Sequence, residues 1–137
     1  MTIKIPVKKM VLEAEAKIKT FSASEAMFFL ENVDYIFVDL RDTHELEKEG
    51  IIPGSIHAPR GMIEFWVDPN SPYHKNVFSS GKAFVFYCKS GWRSALATKT
   101  VQDMGLYPVA HIDGGFTAWV EAENPIDIIP KNKQTST

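Results

Sequence analysis

Short apolar runs alternate with helical segments along most of this chain, and this alternation limits the fold more than any other feature. The runs at residues 35–39, 83–87 and 109–112 have the length of strands, and a helix-like segment follows each of them. Strands that alternate with helices form a parallel sheet with helices on both faces. The sequence therefore predicts an α/β fold.

The remaining elements follow from spacing and caps. Ser22 and Glu25 fit a capping box at the start of a helix that is expected to run to residue 30. Further helices are predicted at residues 6–18, 43–49, 61–66, 94–104 and 116–122, and short strands at residues 18–21 and 55–57. We expect a single domain over residues 1–137, with residues 1–17 as a helical extension and residues 131–137 as a disordered tail.

Composition excludes several classes of protein. Hydrophobic residues make up 45% of the chain and charged residues 23%, which is typical of a globular domain. The net charge of -2 gives no basic surface for nucleic acid or membranes. No apolar run approaches the roughly 20 residues that span a bilayer. With a single cysteine no intramolecular disulfide is possible, and a cytoplasmic location is expected.

Cys88 is the candidate nucleophile. It follows the strand at residues 83–87 directly, and ligands of α/β folds bind where strands end. The positive end of the next helix favours a thiolate there, and Gly91 allows successive N–H groups to turn inward as an anion-binding nest. The alternative is a structural role, since free cysteine is often a small buried hydrophobe. The surrounding sequence favours catalysis.

Neighbouring polar residues extend this candidate site. Lys89 and Arg93 place positive charge on either side of the turn, and Ser94 is expected to cap the helix or to donate a hydrogen bond into the loop. Asp39 and Arg41 follow another strand and should lie near Cys88. An ion pair between strand and loops is at least as good an interpretation of these two as contact with substrate.

Two further groups of residues carry less information. The four histidines have no metal-ligand spacing with each other or with Cys88, so no metal site is expected: His44, His57, His74 and His111. The aromatic segment at residues 61–81 is interpreted either as a lid over the site or as a packed surface: Phe65, Trp66, Tyr73 and His74. Packing is favoured, because aromatic side chains chiefly form cores.

The chain resembles the single-domain rhodaneses, sulfurtransferases that carry sulfur as a cysteine persulfide. Four segments in the family's order carry the resemblance: residues 38–41 with Glu45, residues 50–57, residues 86–95, and Gly114-Gly115 with Trp119. The resemblance implies a three-layer fold with a five-stranded parallel sheet and helices on both faces. It also implies that Cys88 is the nucleophile and that the loop around it binds the persulfide: Lys89, Ser90, Gly91, Trp92, Arg93 and Ser94.

The function implied is transfer of a sulfane sulfur from thiosulfate or a persulfide to a thiol or to cyanide. The expected partners are a small-molecule sulfur donor and a thiol acceptor, or a protein persulfide as donor, with no cofactor and no nucleic acid or membrane. Two alternatives stay open: a phosphatase or arsenate reductase on the same superfold, and a non-catalytic interaction module. Four residues separate Cys88 from Arg93, one fewer than in phosphatases that resemble rhodaneses, and this favours sulfur.

Overall fold

The computed structural model describes residues 1–130, which contain a five-stranded parallel sheet. Its strands are β1 (Lys19–Phe21), β2 (Tyr35–Asp39), β3 (Ile56–His57), β4 (Ala83–Tyr87) and β5 (Val109–Ile112). They lie in the order β1-β5-β4-β2-β3. The predicted α/β class is confirmed. The tail expected at residues 131–137 lies outside the described residues.

Helices connect these strands and cover both faces of the sheet. They are α1 (Val7–Glu15), α2 (Ala23–Met27), α3 (Thr43–Glu49), α4 (Ile63–Val67), α5 (Trp92–Met104) and α6 (Gly115–Glu121). The capping box before α2 is confirmed, because the Glu25 amide donates to Ser22 Oγ at 3.1 Å and the Ser22 amide donates to Glu25 Oε1 at 2.8 Å. Helix α2 ends at Met27 rather than at residue 30. Each helix described within residues 1–130 falls short of the length and apolar character that a membrane span requires.

The start of α5 differs from the prediction. Helix α5 begins at Trp92, and Gly91 is its N-cap with a φ of 104°, in the left-handed region that glycine tolerates best. Ser94 therefore lies inside the first turn of the helix. Of the two expectations for Ser94, helix capping is wrong, because Gly91 is the N-cap. The other is met, since Ser94 Oγ donates to the Gly91 carbonyl oxygen of the loop at 3.3 Å.

Alternate residues of each strand build two cores, as the pleat of a sheet requires. On one face Phe84 and Phe86 of β4 pack with α4 and α5. On the other face Val85 and Tyr87 pack with α2 and α6, around the buried Trp119. Helix α1 lies outside α5, against which it buries two residues, Val11 and Ala14.

The strand register determines what surrounds Cys88. Asp39 at the end of β2 lies opposite Tyr87 at the end of β4. Beyond this pair the Leu40 amide donates to the Tyr87 carbonyl at 2.9 Å. The loops that follow β2, β4 and β5 therefore leave the sheet at the same edge, and Cys88 lies in the middle one.

Candidate active site

Two backbone amides point at the sulfur of Cys88. Sγ accepts from the amide of Gly91 at 3.1 Å and from the amide of Ser94 at 3.4 Å, at the start of α5. Amide donors directed at one atom stabilise negative charge on it, as in an anion-binding nest. Cys88 is only 1% exposed, which by itself also fits a structural cysteine. A purely structural cysteine does not require two amide donors directed at its sulfur, so the converging amides favour a functional role.

The loop that holds Cys88 is fastened to the start of α6. The Cys88 carbonyl accepts from the amide of Phe116 at 2.8 Å, and the Lys89 carbonyl accepts from the amide of Thr117 at 3.0 Å. A Cβ on Gly115 would lie 2.4 Å from the Cys88 carbonyl oxygen, so only glycine allows the loop to approach this closely. The position of the sulfur thus depends on α6 as well as on α5.

Both cations that flank Cys88 are already paired with carboxylates of α3. Arg93 donates to both oxygens of Glu45, at 2.8 and 2.9 Å, and Lys89 pairs with Glu49. The hydrogen bond from Arg93 is the main cause that lowers the pKa of Glu45 to about 2. The charge expected to face an anionic substrate is therefore balanced within the protein. The physical reason is the sheet order, which places α3 beside the loop with its two glutamates one helical turn apart.

Asp39 and Arg41 form a buried ion pair. Arg41 Nε and Nη2 donate to the two Asp39 oxygens at 3.0 and 2.8 Å. Arg41 also donates to the Gly50 carbonyl at 2.7 Å and to Glu49 at 3.1 Å, and its guanidinium lies 4.2 Å from the Phe116 ring centroid. Both members of the pair are 0% exposed. This burial favours the ion-pair interpretation over contact with substrate.

Ser94 connects Cys88 to a histidine that the sequence did not single out for this site. Ser94 Oγ lies 3.6 Å from Cys88 Sγ, 3.3 Å from the Gly91 carbonyl oxygen and 2.9 Å from His111 Nδ1. The sequence patterns test His111 only for metal-ligand spacing. One signal in the sequence could have placed it. His111 lies two residues after Val109 in the same strand, so both side chains are on one face of the sheet, and Val109 packs in the core that includes α5.

The other loop residues face outward. Ser90 is exposed and Trp92 is 46% exposed, so their side chains lie on the surface of the loop around Cys88. Within residues 1–130, the hydrogen bonds of Cys88 Sγ are with Gly91 and Ser94 and not with either of these side chains. Their part in the candidate site is the backbone that turns between β4 and α5.

The aromatic segment at residues 61–81 divides into two parts. Trp66 packs against the α5 core, and His74 is held by the Trp66 carbonyl and by Ser79 Oγ, both at 2.9 Å. Phe65 and Tyr73 form an edge-to-face pair and remain half exposed, with ring centroids 6.4 Å apart. The favoured interpretation, packing on the domain, accounts for Trp66 and His74. It does not account for Phe65 and Tyr73, which contact each other but stay half exposed.

Comparison with known proteins gives consistent family matches. The rhodanese-like domain family matches residues 22–122. A Mus musculus protein named thiosulfate sulfurtransferase/rhodanese-like domain-containing protein 3 is 31% identical over 117 residues, or 82% of this chain and 71% of that protein. The polysulfide-sulfur transferase of Wolinella succinogenes has a solved structure that is 27% identical, with a TM-score of 0.68 over 91% of this chain and 89% of that chain.

A more similar solved structure carries a different name. A protein of unknown function from Rhodopseudomonas palustris CGA009, named a possible tyrosine phosphatase, is 51% identical to this chain. Its TM-score is 0.90, over 93% of this chain and 98% of that chain. The expected three-layer fold is confirmed by these matches. With the family match covering most of its length, the chain belongs to the rhodanese-like domain family.

Proposed function

We propose that this protein is a sulfurtransferase that carries a sulfane sulfur as a persulfide on Cys88. The observation that carries the proposal is the convergence of the Gly91 and Ser94 amides on Cys88 Sγ, at 3.1 and 3.4 Å. Such donors favour an anionic sulfur, which is the nucleophilic form of cysteine. The loop needs no metal or cofactor for this chemistry.

In the first step the Cys88 thiolate attacks the sulfane sulfur of the donor. A bond forms between Cys88 Sγ and that sulfur, the sulfur–sulfur bond of the donor breaks, and the leaving group departs with the electron pair. The leaving group is sulfite when thiosulfate is the donor, and it is a thiolate when a persulfide is the donor. The product is a Cys88 persulfide anion, whose outer sulfur is held by loop amides.

In the second step an external acceptor takes the outer sulfur. A thiol gives up its proton to solvent and attacks as a thiolate. The outer sulfur passes to it as a new persulfide, and Cys88 keeps the electron pair of the broken sulfur–sulfur bond and returns to its thiolate form. Cyanide would leave as thiocyanate. Because Cys88 is the only cysteine of the chain, no internal thiol competes with the acceptor. The partners proposed are therefore a small-molecule or protein persulfide donor and an external thiol.

A phosphatase is the second candidate, because the protein from Rhodopseudomonas palustris with 51% identity is named a possible tyrosine phosphatase. Two features argue against it. Only four residues separate Cys88 from Arg93, which gives a tight ring suited to one sulfur rather than to a tetrahedral phosphate. Moreover, both ends of the Arg93 guanidinium bind Glu45 rather than being available for a bidentate grip on phosphate.

Relatives and surface charge bear on which class of molecule donates the sulfur. The names of the Mus musculus and Wolinella succinogenes relatives refer to thiosulfate and to polysulfide. The ion pairs of Lys89 and Arg93 reduce the net positive charge that would attract the thiosulfate dianion. We therefore propose that a persulfide, whose reacting group carries a single negative charge, is a better donor than thiosulfate.

Intact mass spectrometry tests the proposal directly. The reduced protein is incubated with thiosulfate or with glutathione persulfide, and its mass is measured before and after addition of a thiol. We expect a gain of one sulfur atom that the thiol removes and that Cys88→Ser abolishes. Transfer to cyanide is measured in parallel as thiocyanate.

The same samples separate the alternatives. Hydrolysis of p-nitrophenyl phosphate that is lost in Cys88→Ser, without any sulfur adduct, would establish the phosphatase and refute the sulfurtransferase. A protein that gains no sulfur, hydrolyses no phosphate and reduces no arsenate is the non-catalytic interaction module. Arsenate reduction coupled to an added thiol is assayed with the same pair of proteins.

A further inference from the structure

A buried chain of polar side chains runs from Cys88 into the layer between β5 and α5. Ser94 Oγ lies 3.6 Å from Cys88 Sγ and 2.9 Å from Nδ1 of His111. Cys88 is 1% exposed, and Ser94 and His111 are 0% exposed. Polar groups buried to this extent need partners within the protein, so the direction of each hydrogen bond can be derived from the contacts.

The proton of the His111 ring is placed by its surroundings. Burial lowers the pKa of His111 to about 4, against an opposing effect of Asp113, so the ring is neutral and carries one N–H. Nε2 has no hydrogen-bond partner among the protein atoms of residues 1–130. A proton there would be a buried N–H without an acceptor, which is rare in folded proteins. The proton therefore lies on Nδ1, which donates to Ser94 Oγ.

A serine oxygen that accepts from His111 keeps its own hydrogen for another acceptor. Two are in reach, the Gly91 carbonyl oxygen at 3.3 Å and Cys88 Sγ at 3.6 Å. When Cys88 is a thiol, its S–H points at Ser94 Oγ and the serine hydroxyl donates to the carbonyl. When Cys88 is a thiolate, the hydroxyl turns to the sulfur, because a hydrogen bond to a charged acceptor is about twice as strong.

We propose that His111 is a positioning residue, which keeps the Ser94 hydroxyl available as a third donor to the anionic sulfur of Cys88. The first two donors are the amides of Gly91 and Ser94. His111 acts through Ser94 and exchanges no proton with the sulfur. The proposal rests on Cys88 being the nucleophile, and it is independent of which molecule supplies the sulfur.

The rate at which iodoacetamide alkylates Cys88 tests this proposal, because the chain has no other thiol. His111→Leu removes the ring donor and fills the space with an apolar side chain. His111→Asn keeps a side-chain N–H close to the position of Nδ1. We expect His111→Leu to slow alkylation near pH 7 about tenfold, the lower bound for losing one hydrogen bond to a charged group. We expect His111→Asn to restore most of the rate.

Thr98→Val is the matched control. Thr98 lies one turn beyond Ser94 on α5, is equally buried, and its Oγ1 also has no partner among the described protein atoms. Its substitution removes a buried polar group from the same layer without touching the chain to Cys88, so the alkylation rate should stay that of the wild type. Melting temperatures of all variants confirm that folded proteins are compared.

An unchanged alkylation rate in folded His111→Leu overturns the proposal, and so does equal slowing in Thr98→Val, which would indicate packing. If His111→Leu does not fold, Ser94→Ala gives the deciding measurement, because it removes the hydroxyl and keeps the amide. Wild-type alkylation in that variant would overturn the proposal too. Alkylation requires no sulfur donor. The alkylation rates therefore test the role of His111 even if the protein transfers no sulfur.

Discussion

Substitution of Asp39 by asparagine tests the buried ion pair that connects β2 to the surroundings of Cys88. Asp39→Asn preserves the shape of the side chain and removes its charge. One oxygen still accepts from Arg41 Nε, at 3.0 Å in the wild type. The new amide group faces Arg41 Nη2, where the wild type has a hydrogen bond of 2.8 Å, so two donors oppose each other.

The size of the effect follows from what remains around the guanidinium. Removal of one partner of a buried ion pair costs about 3–5 kcal/mol, because the other charge stays buried without compensation. Arg41 keeps the Gly50 carbonyl and Glu49, whose side chain is 23% exposed. We therefore expect the lower end, a loss of about 3 kcal/mol in the free energy of unfolding. Domains have about 5–15 kcal/mol in total, so Asp39→Asn should still fold.

Urea unfolding followed by tryptophan fluorescence measures this loss. With a slope of about 2 kcal/mol per molar urea, the midpoint should fall by about 1.5 M. Glu13→Gln is the control, because it removes an exposed ion pair in which Lys9 Nζ lies 3.9 Å from Glu13 Oε1. Exposed pairs contribute about 0–1 kcal/mol, so the midpoint of Glu13→Gln should hardly move.

Two results would refute this reasoning. A midpoint of Asp39→Asn that matches Glu13→Gln would mean that the charge of Asp39 does not compensate Arg41. Loss of sulfur transfer at unchanged stability would instead make Asp39 a functional residue, which is the interpretation that the burial of this pair opposes.

Three more predictions concern the loop around Cys88. Gly115→Ala should destabilise the protein and slow sulfur transfer, because the new Cβ would lie 2.4 Å from the Cys88 carbonyl oxygen. Gly81→Ala is its control: Gly81 also has a positive φ, but a Cβ there would meet no atom within 4 Å, so transfer should change little. Glu45→Gln should destabilise the protein by about 1–2 kcal/mol at neutral pH, a figure reduced for solvent at the partly exposed Arg93. That difference should shrink as pH falls from the ordinary pKa of 4.5 towards 2, because protonation of wild-type Glu45 removes the same charge. Urea titrations at several pH values check this, and a constant difference would contradict it.

Local features of this chain could be predicted because neighbouring residues determine them. The strands at residues 35–39, 83–87 and 109–112 match β2, β4 and β5 residue for residue. The capping box of Ser22 and Glu25 was visible at a separation of three residues. The position of Cys88 on a turn between a strand and a helix was also readable, since it needs only an apolar run, a glycine and a helical pattern.

Only the tertiary structure decided which groups surround the sulfur. Arg93 pairs with Glu45, 48 residues away, and Lys89 pairs with Glu49, 40 residues away. His111 reaches Ser94 across 17 residues. These contacts depend on the sheet order β1-β5-β4-β2-β3, which sets α3 on one side of the loop and β5 on the other. Local sequence patterns do not encode the order in which strands pair, so the sequence indicated the charges around Cys88 but not the carboxylates that balance them.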